Sequence, residues 1–181
     1  MQQNGSLKSA VFLDRDGVIN QALIRRGRPY SPRNRAEVII LDGVKESVSS
    51  LFTHNFEIVV VTNQPDVSRG LLSKSDLEEI HKFVAQETGI KHFYTCVHED
   101  RSCCDCRKPK TGMLKRAAED LSIDLKNSFV VGDRWRDIQA GQEIGCSCYF
   151  IDYNYQERRP NLPYFQVESL REATKKILEK K

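Results

Sequence analysis

The run Glu57-Ile58-Val59-Val60-Val61-Thr62 constrains the fold of this chain more than any other segment. It is β-branched and almost uninterrupted, without the alternation of a strand that faces water on one side. A strand of this kind is covered on both faces, and sheets covered on both faces are built from parallel strands joined by helices. The flanking sequence agrees. Ala10 to Leu13 is a short apolar run, Glu37 to Leu41 is a second candidate strand, and His92 to Val97, Ser128 to Val131 and Ser147 to Ile151 read as further strands. Between them, Gly43 to Asn55 has helical spacing at Val44, Val48, Leu51 and Phe52. Ser75 and Glu78 read as a capping box ahead of a helix face made by Leu77, Ile80, Phe83 and Val84. Helices at Thr111 to Leu121, Trp135 to Ile144 and Glu168 to Glu179 follow, the last set off by the proline-containing stretch Arg158 to Tyr164. The alternation predicts a single α/β domain over residues 1–181, a Rossmann-like parallel sheet with helices on both faces. Its C-terminal tail, about 165–180, is expected to be helical.

Composition narrows the range of functions. A chain of 181 residues with 39% hydrophobic and 29% charged residues can bury one sizeable core. A net charge of only +3, with both signs interspersed, fits a locally basic site for an anionic substrate better than a nucleic-acid surface. No apolar run is long enough to span a membrane, and Met1 to Ser9 is polar, so a cytoplasmic protein is expected. Of six cysteines, Cys146 and Cys148 sit in an apolar segment and read as buried thiols. Cys96, Cys103, Cys104 and Cys106 crowd together and read as metal ligands.

In open parallel sheets, ligands bind beyond the C-terminal ends of the strands. Asp14, Thr62 and Asp133 each follow an apolar strand-like run, so three separate segments deliver polar groups to one edge. Asp14-Arg15-Asp16-Gly17 offers one carboxylate to attack phosphorus and another to handle protons, with Gly17 allowing a sharp turn; the same residues also make an ordinary surface turn. Thr62-Asn63-Gln64 offers a hydroxyl and amides to a phosphoryl oxygen, or equally a polar cap. Arg107-Lys108-Pro109 offers a fixed cation, or a solvated basic pair. Gly132-Asp133 with Asp137 suits Mg²⁺, a hard cation that takes oxygen ligands, although helix N-termini favour Asp in any case.

In order and spacing these four motifs resemble the haloacid dehalogenase superfamily of aspartate-dependent phosphatases. Phe12 to Asn20, Val61 to Gln64, Cys104 to Pro109 and Val131 to Asp133 look like the subfamily of D-glycero-D-manno-heptose 1,7-bisphosphate 7-phosphatases and histidinol-phosphate phosphatases. The resemblance covers about residues 9–152 and implies a set of roles. Asp14 would be nucleophile and Mg²⁺ ligand. Asp16 would be general acid and base, and a metal ligand through its carbonyl. Thr62, Asn63, Gln64, Arg107 and Lys108 would hold phosphate, and Asp133 would complete the Mg²⁺ ligands. Asp137 would orient Lys108 or a metal-bound water rather than bind directly.

Cys96, His98, Cys104 and Cys106 offer three sulfurs and one imidazole, the donor set of a structural Zn²⁺ site; a loop disulfide or unligated thiols are the alternatives, and Cys103 competes with Cys104. The resemblance favours zinc, giving a stabilised loop over 96–106. The segment Ile19 to Arg35 is long enough only for a minimal cap, in which Arg25, Arg26 and Arg28, helped by Arg69 and Arg107, could meet a second phosphate or equally form a solvated basic loop. The five-residue spacer between His98 and Cys104 resembles the histidinol-phosphate branch, whereas Ser68-Arg69-Gly70 resembles the heptose branch. Gln21 to Arg25 and Pro65-Asp66 depart from the heptose pattern. The expected substrate is a small phosphorylated sugar, heptose 1,7-bisphosphate first, acted on by a monomer. Histidinol phosphate, a polynucleotide 3′-phosphate and a catalytically dead zinc-stabilised binding module are the rivals. The rest of the tail, with Tyr153, Tyr155 and Arg158, is expected to pack over the core or to meet a partner.

Overall fold

The structure is a computed structural model that describes residues 7–180; most of the polar stretch read from Met1 to Ser9 lies outside the described residues. Six strands form one sheet in the order β5-β4-β1-β6-β7-β8, every pair parallel. The strands are β1 (Ala10–Leu13), β4 (Glu57–Asn63), β5 (His92–Cys96), β6 (Phe129–Gly132), β7 (Ser147–Ile151) and β8 (Phe165–Val167). From β1 the chain winds outward through β4 and β5, then returns across β1 and winds the other way through β6, β7 and β8. The order reverses beside β1, which is where a doubly wound sheet opens a crevice at its C-terminal edge.

Helices cover both faces. α1 (Val44–Thr53), α2 (Lys74–Thr88) and α5 (Leu170–Leu178) pack on one side, α3 (Gly112–Leu121) and α4 (Trp135–Glu143) on the other. Successive strand side chains alternate between the two cores: Val11, Leu13, Ile58 and Val60 face the first, and Phe12, Val59, Val61 and Val130 the second. The continuous apolar run of β4 is therefore buried on both sides, as its sequence requires. Each such fully buried side chain contributes roughly 1.5–3 kcal/mol of hydrophobic stabilisation. Cys146 and Cys148 are buried free thiols, and burial pushes both up to about 12.

Three details differ from the sequence reading. Glu37 to Leu41 is not a strand of the sheet. It follows a 3₁₀ turn at Arg35–Glu37, and Ile40 makes only an isolated bridge to Asn20, leaving Ile39 exposed. α2 is capped by Ser73, whose hydroxyl accepts from Asp76 N at 3.0 Å, rather than by Ser75 and Glu78. Ser-x-x-acid occurs at both positions, and the earlier one lies where the backbone is still extended. The tail at 165–180 begins with β8, a three-residue strand of which only Val167 is buried, too short to register as a periodic pattern.

The segment between β1 and α1 carries a small antiparallel hairpin, β2 (Leu23–Arg25) and β3 (Arg28–Tyr30), turning at Arg26-Gly27 with positive φ at both residues. This is the minimal flap. No helix among the described residues is long and apolar enough to cross a membrane.

Candidate active site

The strand ends beside β1 converge as expected. Asp14 leaves β1, with its backbone N–H donating to the Val131 carbonyl of β6 at 3.0 Å. Asp133 leaves β6, and Thr62 lies near the end of β4. Between Asp14 and Asp133 the backbone must pass very closely, and Gly17 permits it. A Cβ there would sit 2.0 Å from Asp133 Oδ2, and φ is +86°. The resulting cleft is lined by Asp14, Asp16, Thr62, Lys108, Asp133 and Asp137, with Pro29, Tyr30 and Ser31 of the flap forming one wall.

Lys108 is 2% exposed and is the centre of the buried charge network. Its ammonium lies 2.6 Å from Asp137 Oδ1 and 3.0 Å from Asp14 Oδ1, and donates to the Val61 carbonyl at 2.5 Å. Burial pushes its pKa down, but Asp137 and Asp14 outweigh that and hold it above the ordinary lysine value. Asn63 fixes the lysine from behind: its amide donates to the Lys108 carbonyl and accepts from the Lys108 N–H, both at 3.1 Å. Asp137 Oδ2 also accepts from Arg134 N at 3.0 Å, so both of its oxygens are engaged.

The carboxylates are strongly perturbed. Burial, reinforced by Asp137 and Asp16 and opposed by Lys108, raises Asp14 to about 6. Burial, then Asp14 and Asp137, raises the Asp133 pKa well above its ordinary value. Asp133 Oδ2 accepts from the Tyr155 hydroxyl at 2.8 Å, while Oδ1 is buried with no hydrogen-bond partner among the described residues. Ligand oxygens of Asp14, Asp133 and Asp137 lie within 4.8 Å of one another. More negative charge than Lys108 offsets, plus an orphaned buried carboxylate oxygen, is a donor set that fits a hard divalent cation.

Asp16 is held differently. Arg15, which is completely buried, forks onto its two oxygens at 3.0 Å each; Asn20 donates to Oδ1 at 2.9 Å, and Ser31 and Gln64 donate to Oδ2 at 2.7 and 2.8 Å. Burial opposes ionisation, but Arg15 and these hydrogen bonds hold the carboxyl below its ordinary value. Gln64 also donates to Thr62 Oγ1 at 2.9 Å. Thus the Asn63 and Gln64 side chains, read from sequence as phosphate ligands, are here bonded to Lys108, Thr62 and Asp16.

A second groove continues from the cleft past Tyr30 and Ser31 and is lined by Arg28, Arg69, Arg107, Arg134 and Arg136. Asp66 and Asp100 thread between these cations: Arg69 and Arg33 bond Asp66, and Arg107 and Arg136 bond Asp100. Of the flap arginines only Arg28 lines this groove; Arg25 sits over the Tyr30 ring at 5.6 Å. Arg107 also donates to the His98 carbonyl at 3.1 Å, joining the groove to the cysteine loop.

In that loop Cys96, His98, Cys104 and Cys106 bring one donor atom each within 4.8 Å. His98 Nδ1 lies 3.2 Å from Cys106 Sγ and 3.5 Å from Cys96 Sγ. Cys104 belongs to the cluster and Cys103 is exposed outside it. Sequence reasoning missed Tyr155, Ser31, Arg134 and Arg136. Arg134 and Arg136 fall between Asp133 and Asp137, Ser31 lies in the cap segment and Tyr155 in the tail, but nothing in their residue types marked them as site residues.

A doubly wound sheet with paired aspartates after β1, a buried lysine and a carboxylate cluster after β6 defines a phosphatase of the haloacid dehalogenase class. Residues 105–173 match the HAD-hydrolase-like family. The chain is 36% identical over 137 residues to the D-glycero-alpha-D-manno-heptose-1,7-bisphosphate 7-phosphatase of Campylobacter jejuni, covering 73% of this chain and 75% of that protein. It is 35% identical over 143 residues to the beta-anomer 7-phosphatase of Escherichia coli K12, covering 72% of each. The crystal structure of the D,D-heptose 1,7-bisphosphate phosphatase of B. bronchiseptica, complexed with magnesium and phosphate, superposes with a TM-score of 0.83 at 27% identity, over 96% of this chain and 99% of that one. The chain belongs to the D-glycero-D-manno-heptose 1,7-bisphosphate 7-phosphatase family of HAD-like phosphatases.

Proposed function

We propose that the chain removes the 7-phosphate of D-glycero-D-manno-heptose 1,7-bisphosphate through a phosphorylated Asp14. The observation that carries this is the buried contact of Lys108 with Asp14 at the point where the strand order reverses. Asp14 attacks phosphorus through a carboxylate oxygen, forming an oxygen–phosphorus bond as the ester bond to the sugar oxygen breaks; Asp16, held ionised in the free site, takes up a proton with the incoming substrate and gives it to that oxygen. Asp16 then takes a proton from water as the water attacks phosphorus, which frees Asp14 and inorganic phosphate. Lys108 and Thr62 hold the phosphoryl oxygens, and Asp137 and Asn63 keep the lysine in place. Asp14, Asp133 and the Asp16 carbonyl would hold Mg²⁺, which supplies positive charge against the repulsion between carboxylate and phosphate dianion.

The choice of a bisphosphate is supported by the arginine groove beside the cleft, where Arg28, Arg69 and Arg107 suit a second phosphate. Relatives named for both anomers share this similarity, so the reading extends to either. The Cys96, His98, Cys104 and Cys106 cluster would hold one structural Zn²⁺ and stiffen the loop that carries Arg107 and Lys108. Six free cysteines suit a reducing compartment, and we place the enzyme in the cytoplasm.

Asp14→Asn is expected to abolish phosphate release; undiminished turnover in that variant removes the mechanism. A panel of heptose 1,7-bisphosphate, fructose 1,6-bisphosphate and histidinol phosphate, compared by kcat/KM, tests the substrate. The heptose bisphosphate should lead by at least about tenfold, a discrimination of 1.4 kcal/mol or more. A tenfold lead for histidinol phosphate overturns it.

A further inference from the structure

Residues 152–159 leave β7 and cross the C-terminal edge of the sheet as a strap. Asn154, at φ +55°, donates its N–H to Asp152 Oδ1 at 2.9 Å, which turns the chain back toward the cleft. Tyr155 then stacks on Tyr153, ring centroids 5.5 Å apart, and its hydroxyl reaches Asp133. The next residue, Gln156, donates its backbone N–H to the Gly27 carbonyl at 2.8 Å, at the tip of the flap. Glu157 receives the Arg134 guanidinium, with Nε 2.9 Å from Oε1, and the Arg158 guanidinium lies 3.4 Å from the centre of the Trp135 ring. The strap thus holds Asp133, Arg134 and Trp135 one after another, and touches the flap in the same stride.

A phenol on one carboxylate oxygen does specific work. Bonded to Tyr155, Oδ2 is anchored, which sets the plane of the Asp133 carboxylate and leaves Oδ1, without a partner among the described residues, free for a cation. We propose that Tyr155 is a positioning residue for the divalent cation at Asp133, and that the Gln156–Gly27 bond ties its placement to the flap. The proposal rests on the reading of Asp133 as a cation ligand given above. Partners of metal-ligating side chains commonly alter affinity by about 10–100-fold when removed. A single neutral hydroxyl belongs at the lower end of that range.

The test uses zinc-loaded, magnesium-free protein titrated with Mg²⁺ by calorimetry and with Mn²⁺ by electron paramagnetic resonance. Tyr155→Phe keeps the ring on Tyr153 and removes only the hydroxyl. It should bind either cation about tenfold more weakly. Loss of the buried hydrogen bond should lower its cation-free melting temperature by no more than several degrees, and its kcat should recover at saturating Mg²⁺. Cation affinity within twofold of wild type overturns the proposal, as does a lowered cation-free melting temperature with unchanged affinity, which is the signature of packing alone. Asp133→Asn is the control for the underlying reading. If that variant binds the cation like wild type, Asp133 is not a ligand and the reading beneath the proposal fails, whatever Tyr155→Phe does.

Discussion

Asp137 holds the Lys108 ammonium at 2.6 Å, closer than Asp14 does at 3.0 Å, and neither Asp137 nor Lys108 is more than 3% exposed. The lysine therefore stands between Asp137, whose two oxygens are both engaged, and Asp14, the proposed nucleophile. Removing the Asp137 charge leaves Lys108 with Asp14 and the Val61 carbonyl. Asp137→Asn should lower kcat/KM on an aryl phosphate on the order of 10²-fold, comparable to losing one preorganised charge-stabilising group. It should also lower stability by about 3 kcal/mol, because a buried ion pair is broken from one side. Steady-state kinetics and urea denaturation read the two effects separately.

The raised Asp14 makes a counterintuitive prediction about the cation-free protein. Its carboxyl titrates near 6 when folded and near 3.8 when unfolded. Below 3.8 it is protonated in both states and costs nothing. As pH rises through 6 the folded state must carry a buried charge that the unfolded state carries in water, so stability is lost across that window. Asp14→Asn should then be more stable than wild type at pH 7 in chelator-treated protein, on the order of 1–3 kcal/mol. Wild type at or above the variant contradicts this.

His81 works in the opposite direction. It stacks on Phe93 at 4.9 Å, with Nε2 buried and unpartnered among the described residues. Burial first, then the Arg15 guanidinium, push its pKa from 6.5 to about 4. The unfolded chain takes up a proton near 6.5 and the folded one only near 4, so stability rises with pH between those values and is complete above 6.5. His81→Phe should flatten that slope in denaturation midpoints measured from pH 4.5 to 7.5. Equal slopes in both proteins would count against it.

In the cysteine loop, Cys104 belongs to the four-donor cluster and Cys103 does not. Elemental analysis of purified protein should find about one zinc per chain, in line with the four-ligand geometry of structural sites. Cys104→Ser should lose most of it and raise KM through the loop bearing Arg107, whereas Cys103→Ser should keep both zinc and kinetics.

Gly17 tolerates no side chain, for two separate reasons. A left-handed φ costs about 1–2 kcal/mol in any L-residue with a Cβ, and that Cβ would collide with Asp133 Oδ2. Gly17→Ala should therefore lose activity far beyond what its stability loss explains, which a comparison of kcat with melting temperature will show.

How legible all this was follows from where the information resides. Asp14, Thr62 and Asp133 were readable because each ends a strand whose burial is written locally, in Ala10–Leu13, Glu57–Asn63 and Phe129–Gly132. Lys108 was readable through its motif. The contacts of Asn63 and Gln64 were not, since an amide after a strand has the same sequence whatever it bonds. Tyr155 was hidden for another reason. It lies in a segment without periodicity, and its meeting with Asp133 depends on the Asx turn at Asp152 and on the Arg134–Glu157 pair, neither of which leaves a pattern in sequence. β8 escaped because three residues with one buried side chain carry too little signal.

The central place of β1 also bears on the order of events during synthesis. Ala10 N donates to Ser128 Oγ, 118 residues further along the chain and just ahead of β6, and Asp14 N bonds the Val131 carbonyl of β6. At roughly 5–20 residues per second of translation, β1 waits on the order of ten seconds for β6 to emerge. During that interval one edge of the strand lies open beside a half-made anionic site, and a ribosome-bound chain stopped before Phe129 should be captured by chaperones that a chain extended past β7 escapes.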